Sequence, residues 1–162
     1  MGRASTKENK SIYQVTREKL GLTREKASSL LKVISAERLE KIENYKINIP
    51  PEDVLTLAQC YNTPALCNYF CSHECPIGQK YVPEIEAKEL SQIAIETLNA
   101  LNKINREKDR LLEIVEDGEI TPDEYEDFFL IKKTLDKISM SVDSLQLWVD
   151  QAIANGGIEQ KN

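Results

Sequence analysis

Histidine is nearly absent from this 162-residue chain, which carries only one, His73. No glycine-rich phosphate loop occurs, and the acidic residues are spread over what read as solvent faces. The sequence therefore offers no Ser-His-Asp set and no nucleotide cradle, and an enzyme is not expected. No run approaches the roughly 20 apolar residues that a membrane helix needs, and no signal-type apolar stretch follows Met1. A cytoplasmic protein without a membrane partner is expected, in a compartment where thiols are kept reduced. Aromatics are few, at 6%, but apolar residues make up 41%, enough for a core in one medium or two small domains. Residues from Met1 to about Thr6 read as a disordered start.

What is present is unevenly distributed. Residues 1–46 carry 11 Lys/Arg against 6 Asp/Glu, a net of +5, whereas residues 47–162 carry 10 against 21, a net of −11. All four cysteines lie where these halves meet. A basic head makes nucleic acid a candidate partner for that part alone.

In the head, Ile12, Val15 and Leu20 mark a first helix, stopped by Gly21 after Arg17 and Lys19 in the last turn. Thr23 caps a second helix, TREKASSLL, and Ser35 a third, SAERLEKIENY, with Leu39 and Ile42 facing the core. Pro51, followed by Glu52 and Asp53, opens a fourth helix bearing Val54, Leu57 and Ala58. Gly21-Leu22-Thr23, the small pair Ala27-Ser28, Leu39 with Ile42-Glu43, and the proline-led helix ending in Leu57-Ala58 and Tyr61-Asn62 resemble the Cro/CI-like (XRE-type) helix-turn-helix family over about residues 10–62. That resemblance implies a third helix lying in the major groove of double-stranded DNA. It would read bases through Ser35, Ala36, Glu37, Glu40 and Lys41. Arg38 and Lys46 lie on the same DNA-facing side, and Arg24 would reach the backbone. The pattern departs from the family in its turn, Lys32-Val33-Ile34, which is one residue longer and lacks glycine. It departs again at Glu37 and Glu40, where polar or basic residues are usual.

The cysteines are spaced C-x6-C-x3-C-x3-C, at Cys60, Cys67, Cys71 and Cys75. Such density in a reducing compartment is compatible with a metal site, zinc or an iron–sulfur cluster, with a redox switch, or with plain packing. On one continuous helix Cys67 and Cys75 would stand about 12 Å apart, so a shared ion needs a break within 70–75. The head with its CPIG box, Cys75 to Gly78, is similar to a group of small bacterial regulators.

Beyond residue 83, Leu90, Ala94, Thr97, Leu101, Ile104, Lys108, Leu111 and Val115 alternate spacings of four and three. Phe128, Ile131, Leu135, Ile138, Val142, Leu145, Val149 and Ala152 do the same. These tracts predict two long antiparallel helices, at about 84–117 and 121–155. Thr121, Pro122 and Glu124 form a capping box at the start of the second. Gly118 and Glu124 fit a calcium-loop register, but that register puts Val115 at a ligand position, which rules calcium out. The expected fold is all-α, a helix-turn-helix domain of four to five helices (7–62), a cysteine-rich joint (63–82) and a helical hairpin (83–157). The expected function is a transcriptional regulator, dimeric through the hairpin. An adaptor that keeps the fold for a protein partner without reading DNA is the other reading.

Overall fold

Eight α-helices and one π-helical turn carry the computed structural model, which describes residues 10–158, and no strand occurs among them. The expected disordered start at Met1 to Thr6, and residues 159–162 of the polar tail, lie outside the described residues. The chain forms two units, one running to Glu84 and resuming at Asp150, the other Ile85–Val149. The cysteine-rich segment belongs to the first.

In the first unit the helices are α1 (Ile12–Lys19), α2 (Arg24–Leu31), α3 (Ala36–Glu43) and α4 (Pro51–Cys60). Each of the first three starts on a hydroxyl. Ser11, Thr23 and Ser35 accept from the backbone N–H three residues on, each at 3.2 Å. Pro51 occupies the first position of α4, where no N–H is needed. The ends are as definite as the starts. Gly21, Tyr45 and Asn62 have φ of 68°, 54° and 49°, and the residues around them close the last turns by bonding back to Arg17, Lys41 and Ala58. Tyr45 therefore lies beyond α3, which ends two residues before it and not at it.

Four helices too short to persist alone are held by what they bury. Tyr13, Ala27, Leu31, Ile34, Leu39, Ile42, Val54, Leu57, Tyr61 and Leu66 form one core. Each aliphatic side chain so buried contributes roughly 1.5–3 kcal/mol. The core extends into the cysteine segment through Cys67 and Phe70. There α5 (Ala65–Tyr69) widens into a π-helical turn, Phe70–Glu74, closed by Cys75 N–H donating to the Phe70 carbonyl at 2.9 Å. Cys75 is extended, as a residue before proline must be. The chain then folds back as α6 (Gly78–Tyr81), where a Cβ on Gly78 would overlap the backbone carbonyl of Cys71.

The second unit is built on α7 (Leu90–Val115) and α8 (Tyr125–Ala154). Two long helices pack together, and Arg110 Nε donates to Asp127 at 2.7 Å between them. The helices are shorter than the expected 84–117 and 121–155. Pro83 and the six residues that follow it stay outside the helix, and residues 122–124 form a turn. Half of the expected capping box is made: the Glu124 carboxylate accepts from the Thr121 N–H at 2.9 Å and from its hydroxyl at 2.6 Å.

The inward line differs from the expected one. On α7 it runs Ile93, Thr97, Ala100, Ile104, Glu107, Leu111 and Ile114, while Leu90, Ala94, Leu101, Lys108 and Val115 are exposed. On α8 Ile131 and Ile138 face inward as expected, joined by Thr134, Ser141 and Ser144, and Leu135, Val142 and Leu145 are exposed. The hydroxyls explain how polar residues took the inner line. Each bonds the carbonyl one turn earlier, that of Leu130 at 3.3 Å, Lys137 at 2.9 Å and Met140 at 2.7 Å. They are thus satisfied within their own helix and small enough for close approach.

Candidate nucleic-acid interface

Helix α3 is the element on which a groove-reading surface would stand. Its inner side is fixed by Leu39 and Ile42, which are buried, and Ser35, Glu37, Arg38 and Lys41 face solvent. Ala36 and Glu40 are half-buried. The turn that leads into it takes its shape at Lys32, whose φ of 60° supplies the left-handed residue that glycine usually provides. Ile34 then drops into the core and Val33 stays 74% exposed.

Its far end is anchored by a buried carboxylate. Glu43, 1% exposed, accepts from Arg17 Nε at 2.5 Å and Nη2 at 2.9 Å, and from Arg24 Nε at 2.8 Å. Arg17 also donates to the Leu22 carbonyl at 2.6 Å. Its bond to Glu43 keeps that guanidinium firmly protonated despite burial. One carboxylate therefore ties α1, α2 and α3 together. Arg24, expected at the DNA backbone, gives at least one donor to this tie and is about one-third exposed.

The other expected cations are also engaged. Arg38 pairs with Asp53 at 2.8 Å, Lys41 with Glu37 at 2.7 Å and Lys46 with Glu40 at 3.2 Å. The bond from Lys41 lowers the Glu37 carboxyl below its ordinary value, so Glu37 stays ionised. Lys41, Glu37 and Lys46 are exposed and Glu40 about half so, and such pairs contribute only about 0–1 kcal/mol. A phosphate could take either lysine from its carboxylate at small cost. Three exposed cations outside the expected set, Lys19, Lys26 and Lys32, make no ion pair among the described residues. Lys32 sits in the α2–α3 turn, and the glycine-free turn was the signal for it.

All four cysteines are free and half-buried, and no group of three or more His, Cys, Asp or Glu among the described residues is arranged to hold a metal ion. The π-turn does break the helix within 70–75, but it turns Cys75 toward the N–H of Gly78, which approaches its sulfur at 3.5 Å. Burial raises the Cys60 and Cys67 thiols above their ordinary values, Cys67 also through Cys71, so neither is a poised thiolate.

His73 has a defined setting instead. Its ring stacks on Tyr69 at 4.4 Å and its Nε2 lies 3.5 Å from Glu84. Burial raises Tyr69 to about 12. Beside it, Glu74 accepts from the Tyr13 hydroxyl at 3.1 Å, and burial raises the Glu74 carboxyl. Compared with family models, curated proteins and solved structures, the chain matches none.

Proposed function

We propose that the chain is a sequence-specific DNA-binding regulator that acts as a dimer, with α2, the Lys32 turn and α3 as its helix-turn-helix. The observation that carries this is the exposed face of α3, hydroxyl-capped at its start and tied to α1 and α2 through Glu43 at its end. A helix held at both ends, with a solvent-facing charged side whose lysine pairs are weak and with Lys26 and Lys32 unpaired nearby, suits insertion into a groove. On this reading Glu37 accepts from a cytosine amino group, the base contact open to a carboxylate in the major groove. The dimer forms through the hairpin, where Leu98, Leu101, Leu135, Val142 and Leu145 are left exposed and two copies can close a four-helix arrangement.

The pairing of Arg38, Lys41 and Lys46 with carboxylates favours a second reading, an adaptor of the same fold that binds protein and not DNA. Selection over random duplexes at physiological salt separates the two. The regulator enriches a defined sequence, and Lys32→Ala then flattens the slope of log affinity against log salt by about 0.9. If no sequence is enriched, the adaptor reading takes its place.

A further inference from the structure

We infer that the tip of the hairpin, from Leu112 to Phe129, docks a basic amphipathic helix of another protein. Between Arg110 and Lys132 there is no lysine or arginine, while residues 113–127 hold eight carboxylates. Glu113 and Asp127 are paired with Arg110, and Glu124 is bonded to Thr121. Glu116, Asp117, Glu119, Asp123 and Glu126 are exposed and make no ion pair among the described residues.

These charges oppose the local helix. The last turn of α7 carries no basic residue, so Glu113 and the adjoining Glu116 and Asp117 sit against the negative end of the helix dipole. Apart from the Arg110 bond to Glu113 and the Glu119 N–H bond to Asp117 they oppose the helix end, and a cation supplied from outside would relieve them.

The same tip exposes large apolar groups. Leu112 is 64% exposed, Phe129 62%, Tyr125 49% and Val115 47%. Leu112 with Val115, and Tyr125 with Phe129, are helical neighbours on two packed antiparallel helices, a pairing that receives a third helix along its groove. The Tyr125 and Phe129 rings stand 6.4 Å apart and offer an aromatic anchor. The patch is separate from the mid-hairpin stripe proposed for dimerisation, because Asn105 and Lys108 interrupt the outer face of α7 between Leu101 and Leu112. Like charge argues against a second copy of the tip as occupant, since five unpaired carboxylates would meet five more. A helix with lysines beside an apolar face complements both features. The inference stands apart from the DNA reading.

The test titrates the full chain with a leucine–lysine peptide patterned for one apolar helical face. A peptide of the same composition, shuffled so that its leucines surround the helix, is the control. Backbone amide shifts should be confined to about residues 110–131, and the patterned peptide should bind more tightly. Val115→Ser with Phe129→Ser, at unchanged helicity, should weaken it at least about tenfold. Glu119→Gln with Asp123→Asn and Glu126→Gln should flatten its salt dependence. Equal binding of the shuffled peptide, shifts spread over the whole acidic surface, or no shift would overturn the inference. So would tip resonances that move with the chain's own concentration.

Discussion

Glu43 is the residue on which the head's geometry turns. Its carboxylate is wholly buried between two guanidinium groups, and a lost partner in such a set leaves uncompensated buried charge. Glu43→Gln keeps the shape and removes the charge. Urea unfolding should show a loss of about 3–5 kcal/mol. A variant as stable as the natural chain would mean that the core alone orients α3. Glu74 adds a pH dependence of its own. Burial raises its carboxyl above 4.5, so the folded chain holds that proton more tightly than the unfolded one. The stability gained is fully present below 4.5 and is lost as pH rises through the folded value. Glu74→Gln cannot titrate and still accepts from Tyr13. Its melting temperature relative to the natural chain should therefore climb between about pH 4 and pH 7. A flat difference would exclude Glu74 as the cause.

Among the elements, the fold-back after the π-turn depends on one missing methyl group. A Cβ at Gly78 meets the backbone of Cys71, which cannot swing aside as a side chain can. Gly78→Ala should cost about 1–3 kcal/mol, read as a lowered urea midpoint with loss of protection at the Cys75 to Tyr81 amides. An unchanged midpoint would show that α6 is free to lift away. The helix starts were legible in the sequence because capping is local chemistry. Thr23, Ser35 and Pro51 announce α2, α3 and α4 within three residues of each start, and Gly21 announces the end of α1. The hairpin's inner line was not legible in the same way. α7 carries two apolar stripes, and the leucines Leu98, Leu101 and Leu112 lie on the outer one, whereas the inner one includes Ala100 and Glu107. On α8, Thr134, Ser141 and Ser144 count as polar in any hydrophobic pattern, yet their hydroxyls are satisfied by their own helix. At the candidate interface, residue identities pointed to α3. The ion pairs of Arg38 with Asp53 and of Lys46 with Glu40 join positions 15 and 6 residues apart, which no local spacing reveals.

For the whole molecule, the exposed stripe decides the proposed assembly. Leu101 and Val142 are 41% and 56% exposed, so replacing both by serine should leave helicity unchanged. If two hairpins associate there, sedimentation should show a dimer for the natural chain and association weakened by roughly tenfold or more in the double variant. A natural chain that sediments as a monomer at all concentrations would remove the dimer.

The extended stretch from Val82 to Glu89 has a consequence for handling the protein. Residues 83, 84, 86 and 89 are exposed, and residues 83–88 lie between two helices, so this backbone can be drawn into a protease cleft without unwinding either. Glu84, Glu86 and Glu89 offer three cutting points to a glutamate-specific protease within six residues. The helical glutamates elsewhere are shielded by the turns that contain them, and the hairpin bend adds two exposed ones outside any helix, Glu116 and Glu119. Brief digestion of the native chain should begin between Tyr81 and Leu90 and in the bend at 116–119, before any helix is cut.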